Sequence, residues 1–427
     1  MRGKWSRRTV DRVENLLIAV LACTAVLLLV QSGLGQTVAG QRAGAGGETV
    51  FTGIQGTALS RGTPVRLLIQ TEHGRYGVQY DQDTVDNLYA SGISALLTAA
   101  VEAMDVPQPT TREAWQEVLT QSSRWVYCDF LYNISFVAQG SRGEGAGRAF
   151  LLSAPGGRVE EVYYYNQETG EYYVGQVSGT ALAFPNALEG LGNNGACFAF
   201  EDPQVAEILS PDTLVMAQPP VTPVYAVENP VATWGEAERT ALLEALDFNL
   251  RATALYETAE GTVLQEGSDT LRIQKDGQVI YHAADRGQAR FQALSSREKD
   301  LQLKAEEVLD LVTAHWLGEG RMFCQAIETG EEEQVTLTFC CLLNGAQVQR
   351  AEEGWSAQFT FTGQDLTAFT ICLRTYTDTG RTQQALPERQ AAAAAAAMGQ
   401  AGKELQLCYL DDGASSELSA DWTIRES

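Results

Sequence analysis

Histidine is scarce in this chain: three occur in 427 residues, and His73, His282 and His315 stand far apart. No H-E-x-x-H is formed, and no Walker loop, G-x-S-x-G elbow or Rossmann-type glycine fingerprint occurs. Cysteine is equally uninformative about chemistry. There is no C-x-x-C, so neither a zinc site nor a thioredoxin-like motif is indicated. Cys23 lies in an apolar run, and the other seven, Cys128, Cys197, Cys324, Cys340, Cys341, Cys372 and Cys408, are odd in number and irregular in spacing. That is not a disulfide framework. Basic residues are outnumbered, 30 Lys and Arg against 54 Asp and Glu, for a formal net charge of −24. So acidic a surface repels phosphate backbones, which disfavours nucleic acid as a partner.

The tight acidic cluster Asp81, Asp83 and Asp86 lacks the Gly and distal Glu of a calcium loop, and helix capping accounts for it. Glu331-Glu332-Glu333 reads as a solvated turn. Tyr163, Tyr164, Tyr165, Tyr172 and Tyr173 have no Lys or Arg between them, so they suit a half-buried sheet face better than a base-stacking platform. No catalytic, cofactor-binding or metal-ligating set emerges. The expectation is a non-enzymatic protein without cofactors.

Long apolar runs are limited to one, Leu16 to Val30. With Val13 and the Gln31-Ser32-Gly33-Leu34 shoulder it reaches the roughly 20 residues that cross about 30 Å of hydrocarbon. Arg2, Lys4, Arg7, Arg8 and Arg12 precede it against Asp11 and Glu14, a balance of 5 − 2 = +3. This excess predicts a cytoplasmic N-terminus and an extracytoplasmic bulk in a single-pass cell-membrane protein. Two other readings exist for the segment. Thr37-Val38-Ala39 is a tolerable signal-peptidase site. Val20-Leu21-Ala22-Cys23 is similar to a bacterial lipobox, although Leu21 is bulky and the chain stays apolar after Cys23. Within a membrane helix Ala19, Ala22 and Cys23 fall at i, i+3 and i+4. Small residues on one face let a partner helix approach closely, so these three form the expected partner-helix contact.

The predicted fold class is α+β: an N-terminal transmembrane helix, then an ectodomain of two or three units of antiparallel sheet packed with helices. Composition divides the chain into a basic tail (1–15), the anchor (16–34), a Gly/Ala-rich linker (35–62), an N-terminal α+β ectodomain (63–218), a Pro-rich linker (219–230), a central α+β unit (231–292) and a C-terminal α+β domain (293–427). Helices are predicted from about Asp83 to Met104, and from capping boxes at Thr110-Thr111-Arg112-Glu113, Thr233-Trp234-Gly235-Glu236 and Ser295-Ser296-Arg297-Glu298. The third box opens a helix with the apolar stripe Leu301, Ala305, Val308, Leu309, Val312 and Trp316. Pro387 begins a polyalanine helix. Strand alternation is plainest in Val335, Leu337, Phe339, Cys341 and Leu343, which run to a turn at Asn344-Gly345, and in Ala357, Phe359 and Phe361. That alternation puts Cys340 and Cys341 on opposite faces, with Cys341 buried.

A basic N-terminus with one anchor, the phrases Thr270-Leu271-Arg272-Ile273 and Asp276-Gly277-Gln278-Val279-Ile280-Tyr281, the Leu343-Asn344-Gly345-Ala346 turn and a final Asp421-Trp422-Thr423-Ile424 occur in this order. In this layout the chain resembles the YycH-type regulators of Gram-positive bacteria. The resemblance implies a YycI-like C-terminal domain and no catalytic residues. It also implies action by contact on a sensor histidine kinase of the WalK type, alongside a YycI-like partner regulator, in cell-wall homeostasis. An anchored or secreted module that holds wall glycan or peptide is the alternative, and exposed aromatics along one groove would favour it. A hydrolase with an unrecognised site is a more distant third.

Overall fold

The computed structural model describes residues 62–138, 145–178, 182–283, 289–330, 333–351 and 354–425. The anchor with Ala19, Ala22 and Cys23, nearly all of the linker, and Glu331 and Glu332 lie outside them. Among the described residues no helix is long and apolar enough to cross a membrane.

Alternation of apolar side chains along the first strands dictates a sheet covered on both faces. Seven antiparallel strands run in the order Gly74–Gln79, Arg66–Thr71, Trp125–Phe136, Gly145–Ser153, Glu161–Asn166, Glu171–Gln176 and Gln108–Thr110. Leu67, Ile69, Val126, Cys128, Phe150 and Leu152 point to one face, where Val85, Leu97 and Val101 of two helical segments meet them. Those segments are α1 (Gln82–Leu88) and α2 (Ser94–Ala103). A single helix from Asp83 to Met104 was the expectation. Gly92, at φ +135°, interrupts it with a π-turn at Tyr89–Ile93. Leu68, Trp125, Tyr127 and Leu151 point to the other face, under Trp115 and Leu119 of α3 (Arg112–Gln121). Tyr163, Tyr164 and Tyr172 are buried in these layers and Tyr165 and Tyr173 are half-buried. Thr111 caps α3 by accepting the Ala114 N–H at 3.2 Å.

The second sheet has eleven strands. Ten run in the order Ala254–Glu257, Gly261–Glu266, Asp269–Gln274, Gln278–His282, Asp365–Cys372, Ala357–Thr362, Gln334–Leu343, Ala346–Arg350, Glu404–Asp411 and Ala420–Arg425, and Arg321–Thr329 pairs with Gln334–Leu343 off this path. Among its described strands only Ala346–Arg350 and Glu404–Asp411 pair in parallel. Above its core lie α4 (Glu236–Ala245) and α5 (Glu298–Thr313). The predicted stripe of α5 from Leu301 to Val312 is buried against Leu337, Phe339, Phe359 and Phe369. At the start of α4 the expected Thr233 box gives way to Gly235, whose N–H donates to Glu238 at 2.8 Å. The polyalanine helix is α6 (Glu388–Ala397), with Ala391 and Ala392 beside Leu209, Val215 and Leu405. Methyl side chains let its backbone lie close to that layer.

The architecture is therefore α+β with mostly antiparallel sheets and few helices. The segment 219–230, expected as a spacer, instead contributes the strand Val221–Glu228 between Thr375–Gln384 and Glu417–Leu418. Proline cannot donate to a ladder, and the pairing shifts register between Pro223 and Tyr225 to accommodate one. Contacts tie the described residues, 62 to 425, into one unit with no break at this strand.

Among the described residues the seven cysteines form no disulfide. Cys340 packs with Val65, Leu131 and Tyr132, whereas Cys341 packs with Leu343, Tyr376 and Tyr409 on the opposite face. Burial pushes the Cys340 thiol up to about 12 and raises that of Cys341 as well. Thiolate is the reactive form, so both should resist alkylation of the native chain at neutral pH and react on denaturation. Mass spectrometry of labelled peptides checks this, and rapid native labelling of Cys341 would contradict it.

Candidate functional site

A groove of about 800 Å³ opens between the two sheets. Its walls come from separate parts of the chain. One is the helical turn of Asp83, Asp86 and Tyr89, and facing it are Glu319, Arg321 to Cys324, and Glu306 of α5. Tyr225, Asp378 and the Asn344-Gly345 turn complete it.

That turn is the clasp. Asn344 sits at φ +49° and Gly345 at φ +78°, the left-handed pair a tight hairpin demands. The side chain of Asn344 accepts from the Gln82 N–H at 2.8 Å and donates to the Tyr80 carbonyl at 2.6 Å. A hairpin of the second sheet thus holds the N-terminus of α1. On the groove side Gln82 Nε2 donates to Asp86 at 2.7 Å, and Arg321 pairs with the other oxygen of Asp86 at 2.6 Å.

Charge gives the groove its character. Asp83, Asp86, Glu306, Glu319 and Asp378 face Arg321, five carboxylates against one guanidinium, a formal balance of −4. Its field reaches the neighbouring side chains. Tyr225 is pushed up to about 12, first by burial and then by Asp378, Glu319 and Asp83. Burial raises the Cys324 thiol, and Glu306 adds to it. The aromatic residues of the lining are not displayed: Tyr89 and Tyr225 are buried, and Phe323 is half-buried against Tyr132. Along one edge Arg321–Thr329 pairs with Gln334–Leu343, and no pairing of its other edge occurs among the described residues. The first four residues of this strand line the groove.

Below the groove a second set of charges joins the sheets. Arg66, Asp129 and Arg148 stand on neighbouring strands of the first sheet, and Glu404 reaches them from the second. Arg66 Nη1 lies 3.1 Å from Asp129 and 2.7 Å from Glu404. Arg148 lies 3.1 Å from Asp129 and 2.7 Å from Glu404. None of the four is more than 9% exposed. Burial alone would raise both carboxyls, but the two guanidinium groups outweigh it and hold them below the ordinary carboxylate range. This is a joint between the sheets, its charges bound to one another.

The structure divides the acidic cluster seen in the sequence. Asp81 caps α1 through the Thr84 N–H at 3.2 Å and hydroxyl at 2.7 Å, as expected. Asp83 and Asp86 instead line the groove, a role the spacing did not show. His73, His282 and His315 are exposed and apart from it. Among the described residues no group of three His, Cys, Asp or Glu is placed to hold a metal. No family model matches the chain, and no curated protein or solved structure is similar to it.

Proposed function

We propose that the chain is a non-enzymatic regulator that works by protein contact, and that its groove receives an extended, cationic segment of a protein partner. The observation that carries this reading is the lining: five carboxylates against one arginine in a cleft of about 800 Å³. Carboxylates clustered in one cleft, Asp86 and Glu306 half-buried and Asp83, Glu319 and Asp378 exposed, favour Lys and Arg over anionic or neutral ligands, and such complementarity raises association rates and rejects the wrong partner. The unpaired edge of Arg321–Thr329 offers backbone groups that an extended peptide can use. Glycan binding is less well served, because the aromatic side chains of the lining are buried or half-buried and offer no face to a sugar ring. On the resemblance drawn from the sequence, the partner is a sensor histidine kinase and the setting the outer face of a Gram-positive membrane, with the anchor at 16–34 and a YycI-like regulator beside it.

Full-length protein in detergent should bind a fluorescent Lys/Arg-rich peptide more tightly than a Glu-rich peptide of equal length. Neutralising the exposed acids Asp83→Asn, Glu319→Gln and Asp378→Asn together should weaken binding by about tenfold or more and flatten its salt dependence. Equal binding of the two peptides, or unchanged affinity in the triple variant, would sink the reading.

A further inference from the structure

A smaller cavity, of about 150 Å³, opens beside the buried charge joint, between α3, the first sheet and the loop Ser210 to Thr213. It holds an unusual concentration of unmet polar groups. Asp212 Oδ1, Thr213 Oγ1 and Trp115 Nε1 are all buried and without a hydrogen-bond partner, and all three residues line this cavity. Trp115 is 1% exposed and Thr213 3%, so bulk water does not serve them. A buried polar atom left unpaired is costly, and three around one space call for an occupant.

The nature of the unmet groups defines that occupant. Asp212 Oδ2 is already satisfied, taking the Tyr172 hydroxyl at 2.5 Å with the Arg112 Nε at 3.4 Å, so its need is at Oδ1 alone. Burial raises the Asp212 carboxyl above its ordinary range despite Arg112 and Arg148, the state that a further cation would relieve. Trp115 can only donate, and Thr213 can do so. Arg112 spends its Nε on the Tyr172 hydroxyl at 2.9 Å and brings a half-exposed guanidinium to the same lining. The other charges in the wall, Arg148 and Glu404, are bound to each other and to Asp129. What remains is one carboxylate wanting a cation and a set of donors wanting an anion, with no net charge between Asp212 and Arg112. A cavity of about 150 Å³ holds a benzene-sized guest, so the occupant has about five to ten non-hydrogen atoms.

We propose that this cavity is a binding site for a small zwitterion of the α-amino-acid class, its ammonium on Asp212 and its carboxylate on Thr213, Trp115 and Arg112. The site is separate from the groove, and its test does not depend on the groove's partner. Lined as it is by Arg148 and Glu404, it touches the joint between the sheets, so occupancy should stiffen the whole unit.

The experiment is calorimetric titration and thermal melting of the full chain in detergent with glycine, L-alanine and D-alanine, and with ethylammonium and propionate as single-charge controls. At least one amino acid should bind and raise Tm, with each control weaker by about tenfold or more. Asp212→Asn and Thr213→Val should each weaken that binding by about ten- to a hundredfold, the loss of one charge-assisted hydrogen bond. No binding of any amino acid would overturn the proposal and leave a cavity that holds water only. Ethylammonium or propionate binding as tightly as alanine would also overturn it, and the unmodified chain decides this even if a variant fails to fold.

Discussion

Glu404→Ala should destabilise the folded unit by about 3–5 kcal/mol, the cost of leaving a buried charge uncompensated. Glu404 is 6% exposed and is held by Arg148 at 2.7 and 2.9 Å and by Arg66 at 2.7 Å. Removing it leaves two buried guanidinium groups with Asp129 alone, a net positive charge in a largely buried site. The double variant Arg148→Met with Glu404→Met keeps the neutral pair Arg66–Asp129, joined at 3.1 Å. It should be less destabilised than the sum of its single variants, with a coupling of about 1–3 kcal/mol. Urea titrations of the four proteins measure this cycle. The sign against pH follows from the same pairing. Asp129 and Glu404 are depressed in the fold, so their contribution is complete above the ordinary carboxylate range and fades only as pH falls through their lowered values. Additive single variants would show that the four charges do not act as a unit.

How far the sequence reveals this structure depends on the range of the interactions involved. Val335 to Leu343, the hairpin turn at Asn344-Gly345 and the stripe of α5 were legible because periodicity and turn chemistry are local properties. Gly92 shows the limit: the apolar spacing from Val85 to Met104 is helical on both sides of it, and only the π-turn reveals that the register is broken there. The Pro-rich stretch misleads for a related reason. Pro223 is incompatible with an uninterrupted ladder, and a shift in pairing to Thr375–Gln384 makes it tolerable. Such a partner, some 150 residues away, leaves no trace in the local composition. Neither does the groove, since Asp83, Glu306, Glu319 and Asp378 come together only when the two sheets do. Asp81, Asp83 and Asp86 were noticed as a cluster, and helix capping explains only the first of them.

Glu388→Gln should abolish a fall in stability that the parent chain shows between about pH 5 and pH 8. Glu388 opens α6, where the helix N-terminus favours a carboxylate. Burial overrides that preference: the residue is 2% exposed, Oε1 accepts from Gln79 at a long 3.3 Å, and the backbone N–H groups of Glu388 and Met216 offset the lost solvation only in part. Arg389 follows it in the helix, but its guanidinium is held by Asp202 at 2.7 Å. The Glu388 carboxyl is consequently pushed from 4.5 up to about 7, burial being the main cause. Between these values the native chain keeps a proton that the unfolded chain has released, so the folded state loses stability as pH rises, and the loss is complete above about 7. A gap from 4.5 to about 7 corresponds to on the order of 3 kcal/mol. Glutamine preserves the shape and cannot ionise, so the variant should match the parent near pH 5 and exceed it near pH 8. Urea midpoints of both proteins across that range measure the difference. Parallel pH profiles would mean that Glu388 is ionised and solvated throughout, and that α6 packs less closely on the Leu209 and Val215 layer than its alanines indicate.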